Sequence, residues 1–91
     1  MALSGQTTVS SAGAAVRLGD QLIQGPLVVK ALDTNTGVIA IGNVSGDVTV
    51  NNGLRLLKGE SVEFAWVGDL STLWIDSSAN GEGVSWIMLQ L

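Results

Sequence analysis

Two turn–strand units constrain this chain more than anything else in it. The first is LDTNTGVIAIGN, Leu32 to Asn43, and the second is LLKGESVEF, Leu56 to Phe64. In the first, Asp33 and Asn35 are of the type that fold their side chains back onto local backbone, and Gly37 is expected to supply a positive φ. Val38, Ile39 and Ile41 then form the β-branched run of a strand buried on both faces. In the second, a Lys58-Gly59 turn opens a strand in which Val62, Phe64 and Trp66 alternate with Ser61, Glu63 and Ala65. That alternation assigns Trp66 to the core beside Val62 and Phe64.

The rest of the chain repeats the same pattern of short strands and turns. Gln6 to Val9 and Ala14 to Leu18 read as weak strands around Ser10-Ser11-Ala12-Gly13. Pro26 stands at the first residue of a strand over Leu27 to Leu32, where proline is tolerated. Val38 to Gly42 follows, then a Val44-Ser45-Gly46-Asp47 turn into Val48 to Val50. The turn Asn51-Asn52-Gly53, a strong hairpin signal, leads to Leu54 to Leu57. Ser61 to Val67, Leu73 to Asp76 and Gly83 to Leu89 complete the set, the last two joined through Ser77-Ser78-Ala79-Asn80-Gly81. Val16 to Ile23 is the one window with room for a helical turn, and Gly19 weakens it. Strands at this spacing predict an all-β fold, a small antiparallel β-sandwich or barrel of jelly-roll-like type. Residues 14–91 form its single domain, and residues 1–13 form a polar N-terminal arm or edge strand.

Charge narrows the partners. Only 13% of the 91 residues are charged against 46% hydrophobic, where globular domains carry about 25% charged residues. Interface cores are where charge is depleted, so part of this surface is expected to be covered in the working state. The net charge is −4, and Arg17, Lys30, Arg55 and Lys58 stand singly. Nucleic-acid binding calls for clustered cations, so no nucleic-acid partner is expected. No apolar run reaches the roughly 18–20 residues of a membrane span. The start, MALSGQTTVSSAG, has neither the basic end nor the apolar centre of an export signal. The expectation is a protein made in a cytoplasm and used where it assembles.

Chemically reactive sets are missing from the sequence. With no His and no Cys, neither a Ser-His or Cys-His nucleophile nor a zinc cluster is available. Nothing in the spacing pairs the carboxylates for acid–base work, so no enzymatic activity and no cofactor are expected. Asp33, Asp47, Asp69 and Asp76 lie at turns or strand ends; turn formation explains them better than calcium does. Asn43-Val44-Ser45 matches a glycosylation sequon and reads as a turn. The tryptophans are the better recognition candidates. Trp74 alternates with Leu73 and Ile75 and so falls on the wetter face, as an interface anchor or a sugar-stacking platform. Trp86 and Met88 share one face of the last strand with Val84, while Ile87, Leu89 and Leu91 share the other. A strand apolar on both faces needs cover on both. Trp74, Trp86, Met88, Leu89 and Leu91, together with Gln6, Thr7 and Thr8 of the arm, are therefore the candidate interface residues.

The ordered set KALDTNTGVIAIGN, VTVNNG, LLKGESVEF and DLSTLWIDSSANGEGVSWI resembles small structural proteins encoded in the virion modules of tailed bacteriophages. Asn35, Thr36 and Gly37 match their N-T-G turn, Gly42 and Asn43 their strand end, and Gly59, Glu60 and Ser61 their Gly-Glu-Ser element. Asp69 and Leu70 match the later Asp-Leu. The likeness spans roughly Leu27 to Ile87 and departs at Ile39-Ala40, where such proteins often carry Tyr. It implies a capsid decoration (cement) or head-fibre-like protein with no catalytic residues. Its partners would be the major capsid protein of the same virion and further copies of itself, a trimer before a dimer. It would be made in the bacterial host cytoplasm and sit on the outer surface of the capsid. The alternatives are a glycan- or receptor-binding module of a head fibre, tail fibre or baseplate, and a minor tail or connector component.

Overall fold

The structure, a computed structural model, describes residues 2–43, 48 and 53–89. Eight strands are formed among the described residues: β1 (Ala2–Val9), β2 (Val16–Arg17), β3 (Leu22–Ala31), β4 (Ile39–Gly42), β5 (Leu54–Leu56), β6 (Ser61–Asp69), β7 (Trp74–Ser77) and β8 (Glu82–Leu89). They make two four-stranded sheets with orders β1-β8-β3-β6 and β2-β7-β4-β5. Every neighbouring pair is antiparallel. Ala2 faces Leu89, Val16 faces Ile75, Val29 faces Val62 and Ile41 faces Leu54. The chain is thus one long hairpin, its apex between β4 and β5, rolled so that β3 meets β8 and β4 meets β7. That is the jelly-roll arrangement of a sandwich, and the N-terminal segment is its edge strand.

Alternation within the strands builds the core. Leu27, Val29 and Ala31 of β3 and Val84 and Met88 of β8 face Ile39 and Ile41 of β4, Leu56 of β5 and Ile75 of β7. Ile39, Ala40 and Ile41 are all buried, as a strand covered on both faces requires. Ala40 and Gly42 turn away from the core, and Val48 lies directly against Gly42 on that outer side. The remaining turn and strand expected between Val44 and Asn52 lie outside the described residues.

Two departures from simple alternation have a common cause. Between Gly25 and Leu27, β3 advances two residues while β6 advances three, from Phe64 to Val67. The extra residue in the Ala65-Trp66 bulge reverses the side-chain parity of β6. Val67 therefore enters the core and Trp66 leaves it, 65% exposed, so the core position expected for Trp66 is corrected. Pro26 lies inside β3 rather than at its start, opposite this bulge, where its missing N–H disturbs the ladder least. A second bulge on β3, between Leu22 and Gly25, carries Gln24 at φ 45 and restores the register, so that Leu22 faces Asp69. The only helical turn among the described residues is the 3-10 turn Leu70–Thr72 after β6, not Val16 to Ile23. Asp69 caps it by accepting from the Ser71 N–H at 2.9 Å.

This packing predicts opposite outcomes for two large apolar residues. Ile39→Ala empties a fully buried site and should cost about 2–5 kcal/mol in urea unfolding. Trp66→Ser should stay within about 0.5 kcal/mol, because the ring is on the surface.

Candidate functional site

The two turn–strand units meet at one end of the sandwich, and the start of β8 lies against the first of them. Glu82, 9% exposed, turns its carboxylate into the loop Asn35-Thr36-Gly37. Oε2 accepts from the Thr36 N–H and, at 2.8 Å, from the Thr36 hydroxyl; Oε1 accepts from the Gly37 N–H at 2.8 Å. Asn35 is buried beside it and acts as a surrogate peptide for Gly83. Its Nδ2 donates to the Gly83 carbonyl at 2.9 Å, and its Oδ1 accepts from the Gly83 N–H at 3.2 Å. Ser78 adds another tie from the β7–β8 connection, its Oγ accepting from the Val38 N–H at 2.8 Å. The loop thus spends its polar groups on a strand more than forty residues away.

These contacts change how the loop residues are read. Gly37 does not have a positive φ. It is glycine because a Cβ there would run into Ser78 Oγ and crowd the Glu82 carboxylate. Asn35 reaches across to β8 instead of bonding local backbone. Asp33 is exposed and pairs with Lys30 at 3.6 Å, a contact of the surface kind worth at most about 1 kcal/mol. The Lys58-Gly59 turn forms as expected: Glu60 N–H donates to Leu57 O at 3.0 Å, with Gly59 at φ 76 in the third position. Gly59 N–H and Glu60 O then grip Ala31 at the end of β3, and Glu60 Oε1 accepts from the Leu57 N–H at 2.7 Å. Thr36, Gly37, Leu57, Lys58 and Glu60 border an open cavity of about 470 Å³ between the two turns.

The other carboxylates are held separately. Asp76, 2% exposed, accepts from the Gly13 N–H at 3.0 Å and the Ser77 N–H at 2.8 Å, drawing the β1–β2 loop over the outer face of β7. Asp69 is a cap, and Asp47 lies outside the described residues. Among the described residues no three of His, Cys, Asp and Glu converge as a metal site would need. No helix there is long and apolar enough to cross a membrane.

Of the interface candidates, Gln6, Thr7, Thr8, Trp86, Met88 and Leu89 lie on the paired strands β1 and β8, and Trp74 lies on β7 of the other sheet. Trp74 is on the outer face, as its alternation implied, but half-buried, with the Arg17 guanidinium 5.2 Å from its ring centre. That contact is worth about 0.5–1 kcal/mol and takes up a ring face that a ligand would use. Trp86 faces inward and is half-buried, its ring against Gly5 of β1, where a Cβ would stand 2.9 Å from Cζ2. Met88 is 1% exposed and is a core residue. Leu89 ends β8 opposite Ala2, and Leu91 lies outside the described residues. Gln6 and Thr8 are exposed on β1, while Thr7 turns inward and donates its hydroxyl to Leu18 O. Among the described residues, the exposed large apolar side chains are Leu22, Leu54, Leu57, Trp66 and Ile87.

Sequence reasoning missed Glu82 altogether. Its one signal was an acid at the head of an otherwise apolar terminal strand, a position that demands a specific set of donors. No protein-family model matches the chain, and no curated protein matches it either.

The clasp makes stability depend on acid. The Thr36 N–H, the Thr36 hydroxyl and the Gly37 N–H together hold the Glu82 pKa below its ordinary value, against the opposing effect of burial, with the Thr36 N–H the largest influence. Because folding lowers this pKa, the bound carboxylate stabilises the fold above the ordinary glutamate range, near about 4.3. That contribution is lost as pH falls through the lower, folded value. Thermal unfolding followed from pH 7 to pH 3 should show a midpoint that drops with acid. Glu82→Gln should lower the midpoint at pH 7 and flatten that acid dependence. Asn35→Ala should cost about 1–3 kcal/mol, the range for a buried polar group left unpaired, here the Gly83 N–H.

Proposed function

We propose that this chain is a non-enzymatic virion structural protein, a capsid decoration protein that binds the outer surface of a phage head and stabilises it. The observation that carries this reading is where the motif residues shared with phage virion proteins spend their chemistry. Asn35, Thr36 and Gly37 are committed to Glu82 and Gly83, Gly59 and Glu60 to Ala31 and Leu57, and Asp69 to Ser71. A motif set consumed in internal bonds is chemistry for holding a shape, and it leaves apolar side chains such as Leu57, Trp66 and Ile87 on the exterior. A protein of this kind acts by mass action. Binding only to assembled shell, it stabilises that state in proportion to its occupancy. The major capsid protein is its partner, along with further copies of itself in a closed assembly.

Quantitative mass spectrometry of purified virions tests the proposal. A decoration protein should be present in numbers comparable with the major capsid protein, and heads stripped of it should come apart at lower temperature. A handful of copies per particle, coupled with binding to host glycan, would instead make it a fibre or baseplate module.

A further inference from the structure

We infer that sheet β1-β8-β3-β6 continues from one copy of this chain into the next, with β6 of one subunit pairing with β1 of its neighbour. This deepens the assembly reading above and rests on it only in taking a second copy as the working partner.

The two sheets end very differently. Among the described residues, the outer strands of the second sheet, β2 and β5, are two and three residues long. Those of the first, β1 and β6, are eight and nine residues long. Exposed edges are normally blunted by lysine, proline or extreme shortness. Neither β1 (ALSGQTTV) nor β6 (SVEFAWVGD) contains a lysine or a proline, and β1 contains no charge at all.

Hydrogen-bond parity identifies the free backbone groups. Glu60 O accepts from the Ala31 N–H, so successive alternate residues, Val62 and Phe64, point their backbone groups toward β3. Ser61, Glu63 and Ala65 then direct theirs to the open edge. On the other side, Val9 O accepts from the Gly81 N–H, while the N–H and C=O of Gly83, opposite Thr8, are turned toward Asn35 and Leu32. The backbone groups of Ser4, Gln6 and Thr8 therefore face outward from β1.

Direction and charge select β6 against β1 over β6 against itself. Four strands in strict antiparallel alternation leave β1 and β6 running oppositely. A copy placed alongside in the same orientation therefore presents β1 antiparallel to β6, continuing the ladder without a break. A two-fold β6–β6 pair centred on the regular part of the strand would set Glu63 opposite Glu63, a destabilising like-charge pair. Against β1, Glu63 meets only the uncharged Ser4, Gln6 and Thr8. The inward-facing residues at the two edges, Val62 and Phe64 on one side and Gly5 and Thr7 on the other, are only half-buried, and the pairing extends the core over them. Such a head-to-tail contact closes into a ring or runs on as a filament, according to the rotation between neighbours.

The purified full-length chain, examined by light scattering and native mass spectrometry across a concentration series, decides the matter. The wild type should assemble beyond the monomer. Glu63→Pro and Gln6→Pro each remove an edge-facing N–H without touching the internal ladder, and each should yield monomer. Mixing the two variants leaves one good edge on each and should yield dimers and nothing larger. Because the chain has no cysteine of its own, disulfide trapping tests the same contact in a second way. Gln6→Cys combined in one chain with Ser61→Cys, Glu63→Cys or Ala65→Cys should, on oxidation, give a ladder of covalent multimers for at least one combination. A wild type that stays monomeric overturns the inference, and if it is nevertheless abundant in virions the decoration reading survives. Assembly unaffected by Gln6→Pro, with covalent dimers from Glu63→Cys alone, overturns it in favour of β6 against β6.

Discussion

One carboxylate, that of Glu82, ties together the crossings on which the fold depends. A jelly roll made from one long hairpin must pass between its sheets repeatedly, and two of those passages, from β3 to β4 and from β7 to β8, lie side by side at the same end. Glu82 joins them. Its oxygens take the donors that the tight Asn35-Thr36-Gly37 loop turns inward, and Asn35 answers by bonding both backbone groups of Gly83. Without these bonds the buried Gly83 N–H would lose its acceptor, at about 1–3 kcal/mol. In a domain of this size, whose whole stability is on the order of 5–14 kcal/mol at roughly 0.05–0.15 kcal/mol per residue, that is a decisive share.

The same economy explains how so small a chain holds together without disulfides. Its charged residues are few, and three of its buried polar side chains connect segments distant in sequence: Asn35 to Gly83, Glu82 to Thr36, Asp76 to Gly13. The apolar residues fill a thin two-layer core around Leu27, Val29, Ile39 and Ile75. What remains outward carries few charges and includes the edges of the two long strands β1 and β6.

Much of this was legible in the sequence, and the failures share a physical origin. The turn–strand grammar gave the all-β class, most strands, the Lys58-Gly59 turn and the doubly buried Ile39 to Ile41. Local patterns could not reveal long-range partners. Gly37 looked like a turn glycine because nothing nearby announced Ser78, and Asn35 looked like a local capping residue because Gly83 is forty-eight residues away. Trp66 was misplaced by a single bulged residue, since alternation carries no memory of an insertion in the ladder and one extra residue reverses every later side chain. Trp74 was placed on the correct face, but its pairing with Arg17 depended on β2 lying beside β7.

Among the described residues, the loop polar groups are committed inside the subunit, while the edges of β1 and β6 turn alternate backbone groups outward. Residue-resolved amide hydrogen exchange measures both at once. In dilute protein the amides of Thr36, Gly37 and Gly83 should be among the slowest to exchange. Those of Gln6, Thr8, Glu63 and Ala65 should exchange fast, and should become protected in the assembled state. Fast exchange at Thr36, Gly37 and Gly83, or edge amides equally exposed before and after assembly, would contradict the account.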